Sequence, residues 1–212
     1  MSRWMADEVG PTGQIVAADI DVRFLADMDR PNVEVRELDV RTDPLEAGTY
    51  DLAYCRTLLL HLPDPRAALE RLVQTLRPGG WLLAQEPDMG TMVACDPDDP
   101  EAARFEELTR RAFDYCRDSK LFDTRFGRTL PVLFGSLDLV DVGGQAAAPV
   151  QRGGSRDTLT TTRTFEVLGD LLVDQGAFTR DEMDDLLRLW QDDRIVFVSA
   201  LQVAAWGRRA PR

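Results

Sequence analysis

The sequence has very few residues of the kinds that bind metals or form disulfides. It contains one histidine, His61, and three cysteines, which lie far apart at positions 55, 95 and 116. No two of these residues have the spacing of zinc ligands, so the sequence predicts no metal site. An odd number of separated cysteines is typical of a protein that stays reduced, and this predicts a cytoplasmic location.

Long apolar segments and basic charge are also scarce. The longest apolar run, residues 195–206, is interrupted by Ser199 and Gln202 and is too short to cross a bilayer. Residues 1–8 lack the apolar centre of a signal peptide. The 25 Lys and Arg residues face 37 Asp and Glu residues, which gives a formal net charge of −12. This balance argues against a nucleic-acid or membrane-surface partner.

The pattern that is present is an alternation of short apolar runs with amphipathic segments. We expect a single domain over residues 1–212, since this length supports a sizeable core. Strand and helix patterns alternate up to residue 90, which predicts an α/β fold with a mostly parallel, Rossmann-like sheet. The predicted strands are 14–18, 33–38, 50–55 and 81–85, and the predicted helices are 2–9, one from Val22 through Met28, and one from Pro65.

The alternation of strand and helix patterns ends after residue 90. We expect residues 91–194 to form a helical, acceptor-side insertion and residues 195–207 to form one closing strand. The doublets Gly143-Gly144 and Gly153-Gly154 frame a segment that is predicted to be a loop or an edge strand. The predicted helices are 101–118, 125–134, 159–175 and 180–191, and a short strand is predicted at 137–142.

Carboxylates follow the first two predicted strands. The apolar run that begins at Gly13 predicts a buried strand, and Asp19 comes at its end. The second strand is followed by Asp39. Ligands of open α/β sheets bind outside the carboxyl ends of the strands, where a carboxylate can accept both hydroxyls of a ribose. Helix capping and solvated turns are the alternative roles of these acids.

Four segments together resemble class I S-adenosylmethionine-dependent methyltransferases of the small-molecule type, related to the ubiquinone and menaquinone biosynthesis enzymes. They are GQIVAADID, VEVRELDV, YDLAYCRTLLLHLPDP and LRPGGWLLAQEPD. The resemblance implies S-adenosyl-L-methionine as the cofactor and a small molecule as the methyl acceptor. It also implies helices on both faces of the sheet.

The resemblance further implies site residues. Asp19 would bind the ribose hydroxyls and Ile20 would lie beside the adenine. Asp39 would accept the adenine amino group, and Val40 would offer its backbone amide to the ring. Arg56 would lie near the methionine half of the cofactor, although a surface ion pair is an equal alternative for this residue.

Candidates for catalysis are few, because the sulfonium of the cofactor is already activated and the protein mainly aligns the reactants. His61 and Glu86 are the candidate bases, with packing and a solvated turn as their respective alternatives. Asp88 shares the position of Glu86 at a strand end, with the same alternative. Three aromatic residues are candidate pocket-lining residues or, alternatively, core residues: Phe113, Tyr115 and Phe122.

One expected motif is missing. The resembled family carries a strand and a glycine-rich loop before the helix that residues 2–9 match, and Gly10 and Gly13 come after that helix. We therefore expect a truncated methyltransferase with impaired activity. A non-catalytic interaction module and a nicotinamide-dependent oxidoreductase are the alternatives, and the sequence leaves a monomer and a homodimer open.

Overall fold

A computed structural model describes residues 1–211. Contacts divide the chain into two compact units, Met1–Glu46 and a second unit that begins at Ala47. Both units mix helices with strands, so the predicted α/β class is confirmed.

The first unit is a two-stranded parallel sheet with short helical elements. It contains helix α1 (Ser2–Val9), strand β1 (Ile15–Asp19), a 3-10 helix (Val22–Leu25) and strand β2 (Val33–Glu37). In the register of the sheet, the last residues of β1 and β2 lie side by side. Within residues 1–211, β2 is the one strand that pairs with β1.

Two expectations for this unit are wrong. The helix expected from Val22 through Met28 is a single 3-10 turn, which Asp21 caps by accepting a hydrogen bond from the Arg23 N–H at 3.1 Å. β1 is also less buried than its apolar sequence indicates, because Ala17 is its one buried residue. A two-stranded sheet with two short helical elements has too few side chains to cover both of its faces.

The second unit contains most of the chain. Its elements are β3 (Tyr50–Arg56), α2 (Pro65–Thr75), β4 (Leu76–Asp88), β5 (Val93–Ala94), α3 (Pro100–Asp118), α4 (Leu130–Gly135), β6 (Val140–Ala147), β7 (Val150–Arg152), α5 (Leu159–Asp174), α6 (Arg180–Gln191), β8 (Val196–Val198) and β9 (Leu201–Arg208). Two sheets result, one with the order β3-β4-β9-β6 and a smaller one with the order β5-β8-β7. β3 and β4 are parallel, and every other pair in this unit is antiparallel.

The start of α2 follows the sequence signals closely. Asp64 accepts a hydrogen bond from the Ala67 N–H at 2.9 Å, and Pro65 occupies the first helical position. This arrangement satisfies a backbone donor that the helix itself leaves unpaired, and proline has no such donor to satisfy. The predicted helix start is confirmed.

The later part of this unit departs from the sequence expectations. The closing strand expected over 195–206 is two strands in different sheets, β8 and β9, and the N–H of Ser199 between them bonds to the Pro149 carbonyl. Gly143 and Gly144 lie inside β6. A side chain at Gly143 would come within 2.7 Å of the Trp206 ring, so the glycine allows close cross-strand packing.

Two smaller differences concern the same region. The helix expected over 125–134 is a 3-10 turn (Phe126–Thr129) followed by α4, and the strand expected at 137–142 begins later, at Val140. Pro131 near the start of α4 accounts for the break, because its ring cannot continue a preceding helical hydrogen-bond ladder.

The core of the second unit is aromatic. Trp190 of α6 packs against Phe105 of α3, Phe165 of α5 and Phe197 of β8, with ring centroids 5.1, 5.8 and 5.3 Å away. The Trp190 indole N–H donates to the Thr109 hydroxyl at 3.1 Å, so its polar atom is satisfied inside the core. This cluster joins α3, α5, α6 and the smaller sheet.

Candidate functional site

The two candidate acids of the first unit lie next to each other at the carboxyl ends of β1 and β2. Asp19 is the last residue of β1, and its backbone carbonyl accepts a hydrogen bond from the Leu38 N–H at 2.9 Å. Asp39 follows directly after Leu38. The parallel pairing therefore brings together residues that lie about 20 positions apart in the chain.

The Asp19 carboxylate is available to a ligand. Asp19 is exposed, and one of its oxygens, Oδ1, accepts a hydrogen bond from the Asp21 N–H at 3.0 Å. That contact orients the side chain and leaves Oδ2 without a hydrogen bond to any of residues 1–211. The side chain of Ile20 beside it is 65% exposed, which is high for a large apolar residue.

Asp21 has a different role from Asp19. The Arg23 guanidinium donates three hydrogen bonds to the Asp21 carboxylate, and this pair lowers the pKa of Asp21 to about 2. Asp21 therefore serves the 3-10 turn as a cap and a salt-bridge partner.

Asp39 is more strongly engaged than Asp19. The Arg41 guanidinium binds both of its oxygens, with Nε 2.9 Å from Oδ1 and Nη2 2.7 Å from Oδ2. The Asp39 carboxylate raises the pKa of Arg41 through this pair. Val40 lies in the turn between them. A ligand that binds Asp39 therefore either displaces Arg41 from the carboxylate or binds to it together with Arg41.

Arg56 ends β3 in the second unit. It is exposed, and it lies opposite Gln85 in the parallel pairing of β3 with β4. The next residue, Thr57, has a left-handed backbone with φ 51°, and its N–H donates to the Gln85 carbonyl at 3.0 Å. The chain therefore turns sharply at the carboxyl end of β3.

Glu86 is fully buried and holds the segment that follows this turn. Its Oε1 accepts hydrogen bonds from the N–H groups of Leu58 and Leu59 at 2.9 and 2.8 Å. Its Oε2 has no hydrogen-bond partner among residues 1–211. Burial raises the pKa of Glu86, and the backbone donors oppose this only in part. No local signal in the sequence predicts such burial, because the partners lie almost 30 residues away.

His61 lies at the edge of the same segment. It ends the 3-10 helix Leu59–His61, and its ring contacts that of Phe122 at a centroid distance of 5.5 Å. Partial burial lowers the pKa of His61, so the neutral imidazole prevails at neutral pH. Of the other aromatic candidates, Phe113 and Tyr115 pack in the aromatic core or against it.

An arginine pair that the sequence reasoning did not predict lies near the carboxyl end of β4. Arg128 binds the buried Asp88 with two hydrogen bonds, and Arg125 binds Asp114 of α3 at 2.7 Å. Both guanidinium groups adjoin Gly90. The sequence signal that could have revealed them is the spacing of two arginines on one helical turn, three residues apart.

Two kinds of feature are not found in the described part of the chain. Within residues 1–211 no group of three or more His, Cys, Asp or Glu side chains is arranged to hold a metal ion. The helices in this range are too short or too polar to cross a membrane.

Comparison with known proteins identifies the class to which this fold belongs. Residues 1–84 match a family model described as a methyltransferase domain. The chain shares the Rossmann-like fold of solved methyltransferases, and its sequence similarity to the methyltransferase domain lies in the first 84 residues.

Two curated relatives are similar over part of the chain. Methyltransferase str2 of Strobilurus tenacellus is 32% identical over 114 residues, which cover 53% of this chain and 40% of the relative. An uncharacterized 37.1 kDa protein in transposon TN4556 of Streptomyces fradiae is 35% identical over 99 residues, covering 44% of this chain and 29% of the relative. The chain therefore matches less than half the length of either relative.

Solved structures show the same fold at low sequence identity. A proposed type II methyltransferase from Anaeromyxobacter dehalogenans has a TM-score of 0.58 and 17% identity, covering 94% of this chain and 82% of its own. Phosphoethanolamine N-methyltransferase 2 of Haemonchus contortus, bound to phosphomonomethylethanolamine and S-adenosylhomocysteine, has a TM-score of 0.54 and 15% identity. That alignment covers 99% of this chain and 46% of the other.

Proposed function

We propose that this protein transfers a methyl group from S-adenosyl-L-methionine to a small-molecule acceptor. The observation that carries the proposal is the exposed Asp19 carboxylate at the carboxyl end of a parallel strand, with an accessible Ile20 beside it. Nucleosides bind in this position in open α/β sheets. The match of residues 1–84 to a methyltransferase domain supports methyl transfer over other nucleoside chemistry.

We assign the cofactor contacts of the first unit residue by residue. Asp19 Oδ2 accepts the ribose hydroxyls, and Ile20 packs against the adenine. Asp39, held next to Asp19 by the pairing of β1 with β2, accepts the adenine amino group, and Val40 offers its backbone N–H. Because Arg41 already binds Asp39, we expect Asp19 to contribute more to binding than Asp39 does.

The acceptor side is assigned to the second unit. The cofactor supplies an activated methyl group, so the protein needs to position the acceptor and exclude water. Arg56 lies at the carboxyl end of β3 and is assigned to the methionine half of the cofactor. His61 is neutral at pH 7 and partly accessible, which suits a general base. Glu86 is buried, and we assign it to holding the backbone of Leu58 and Leu59.

The nature of the acceptor is supported by two structural relatives. The Haemonchus contortus enzyme was solved with phosphomonomethylethanolamine, and coclaurine N-methyltransferase, with a TM-score of 0.51 and 14% identity over 98% of this chain and 63% of its own, was solved with N-methylheliamine. Both ligands are small molecules. We extend this class of acceptor to the present chain.

Replacing Asp19 by alanine is expected to weaken the binding of S-adenosylhomocysteine at least about tenfold, because hydrogen bonds to a charged group contribute about 1.5–3 kcal/mol each. Calorimetric titration of the full chain measures this. Asp27→Ala is the matched control, since it removes one exposed carboxylate from the same unit, and its affinity should equal that of the unmodified protein.

The same titration separates the alternatives. Absence of S-adenosylhomocysteine binding by the unmodified chain would contradict the proposed function and favour a non-catalytic interaction module. Tighter binding of a nicotinamide dinucleotide would favour an oxidoreductase. If Asp19→Ala binds as well as the unmodified chain, the cofactor site lies elsewhere. Slow formation of S-adenosylhomocysteine from S-adenosyl-L-methionine in the presence of acceptors, despite tight cofactor binding, is the result expected of impaired transfer.

A further inference from the structure

We propose that Arg125 and Arg128 form a binding site for the anionic group of a small molecule, a carboxylate or a phosphate. The ligand is assigned as the acceptor of the proposed methyl transfer, so its role rests on that function. The site lies where β4 ends, at Asp88, and is built entirely from residues of the second unit.

Arg128 is held in one orientation by a buried acid. Its Nε and Nη2 donate to the Asp88 carboxylate at 2.5 and 2.9 Å, while the Asp88 side chain is 2% exposed. The Arg128 side chain itself is 49% exposed. Its Nη1 forms no hydrogen bond with residues 1–211, so one edge of a fixed guanidinium faces outward with donors to spare.

Arg125 is positioned in a similar way from another element. Its Nη2 donates to Asp114 of α3 at 2.7 Å, and its side chain is 39% exposed. Nη1 has no hydrogen-bond partner in residues 1–211, and Nε is buried without one. The Arg125 Nη1 group therefore has donors left for an anion that arrives from solvent.

Gly90 brings the two arginines together. A side chain at this position would come within 3.0 Å of Arg125 Nε and 3.2 Å of Arg128 Nη2. Both guanidinium groups therefore lie against the same short stretch of backbone, just past the end of β4. The missing side chain leaves room for both, and two adjacent planar guanidinium groups suit an anion with several oxygens.

The local carboxylates engage only part of the donors of the two arginines. Asp114 is shared by three arginines, Arg110, Arg117 and Arg125, at 3.4, 2.8 and 2.7 Å. Asp118 adds a carboxylate to Arg117 alone. The other nearby acid, Asp123, accepts from the backbone N–H of Arg125 at 2.9 Å and does not bind its guanidinium. The four carboxylates Asp88, Asp114, Asp118 and Asp123 balance the four arginines in charge, so an anion would bind through the unused Nη1 donors of Arg125 and Arg128.

The position of Arg125 and Arg128 in the second unit fits a binding site for the acceptor. The N–H of Asp123 donates to the Leu60 carbonyl at 2.9 Å, so the segment that carries Arg125 packs on the 3-10 helix containing His61. Phe122 of this segment contacts the His61 ring. An anionic molecule held by the arginines would thus have an aromatic surface and a candidate base in the same region of the fold.

Calorimetric titration with benzoate and phenyl phosphate, and with the uncharged methyl benzoate and phenol, tests this site without turnover. Titrations run with and without S-adenosylhomocysteine. We expect at least one anion to bind and both neutral compounds to bind more weakly. Arg125→Gln and Arg128→Lys should each weaken anion binding at least about tenfold, because each loses charge-assisted hydrogen bonds.

Arg163→Gln is the matched control, because it removes one arginine from the exposed surface of α5, where the side chain is 76% exposed. Its anion affinity should be unchanged. Preference for benzoate identifies a carboxylate site, and preference for phenyl phosphate identifies a phosphate site. Equal affinity for neutral and anionic compounds, no anion binding, or unchanged binding by Arg125→Gln would overturn the proposal.

The choice of variants and the outcomes below separate the test of this site from effects on folding and from the test of the proposed function. Arg128→Lys retains a cation beside the buried Asp88. Arg125→Gln leaves Asp114 with two further arginines, so neither substitution leaves a carboxylate without a cation. Anion binding without any methyl transfer would support the site and contradict the proposed function. Methyl transfer by Arg125→Gln with unchanged acceptor KM would contradict the site alone.

Discussion

Trp190→Ala is expected to lower the free energy of unfolding of this protein by about 3–5 kcal/mol, which is the usual cost of replacing a fully buried tryptophan by alanine. Trp190 is 1% exposed and contacts three aromatic rings from three different elements. The substitution leaves a cavity at their junction. It also leaves the Thr109 hydroxyl without its indole donor.

Urea unfolding followed by far-ultraviolet circular dichroism measures this change. Trp4→Ala is the control, since Trp4 is 59% exposed and its loss should change the free energy by less than about 0.5 kcal/mol. A decrease of less than about 1.5 kcal/mol for Trp190→Ala would show that the three helices and the small sheet do not depend on this cluster.

Glu86→Ala is the second substitution with a large expected effect. It removes the acceptor of two buried N–H groups, those of Leu58 and Leu59, and unsatisfied buried donors cost about 1–3 kcal/mol. Glu86→Gln keeps an acceptor oxygen of the same shape, so we expect it to retain most of the stability at pH 7. The same unfolding experiment compares the two variants, and equal losses would contradict the assigned role of Oε1.

The pH dependence of stability gives a further test of Glu86. Burial raises its pKa in the folded protein above the unfolded value. The stabilisation linked to its proton is therefore fully present below the unfolded pKa and is lost as pH rises through the folded pKa. Glu86→Gln has no such proton. The free energy of unfolding of the unmodified protein, relative to Glu86→Gln, should decrease as pH rises from 4 toward neutrality, and parallel curves would contradict this.

The effect of Glu86 on the proposed chemistry follows from its contacts. Its carboxyl holds the backbone of residues 58 and 59, just beyond the turn at Thr57. Arg56 and His61 lie on either side of this segment. This buried acid thus holds the backbone that connects two proposed functional residues.

Residue order alone was enough to predict features that depend on near neighbours. The start of α2 at Asp64 and Pro65 depends on a cap and a ring that act within one turn. The alternation of apolar and amphipathic segments up to residue 90 predicts an α/β fold, because each strand and helix buries a face with its own period. The positions of Asp19 and Asp39 at consecutive strand ends can be predicted for the same reason.

Features that depend on distant partners were decided only by the tertiary structure. The apolar run 195–206 satisfies the pattern of one strand, yet its halves pair with different strands and form β8 and β9. The glycine doublets left a loop and an edge strand open, and only the pairing of β6 with β9, where Trp206 packs against Gly143, decides for an edge strand. Burial of Glu86 and the meeting of Arg125 with Arg128 beside Gly90 depend on partners remote in the chain. Local periodicity carries no information about which remote segment packs against a side chain.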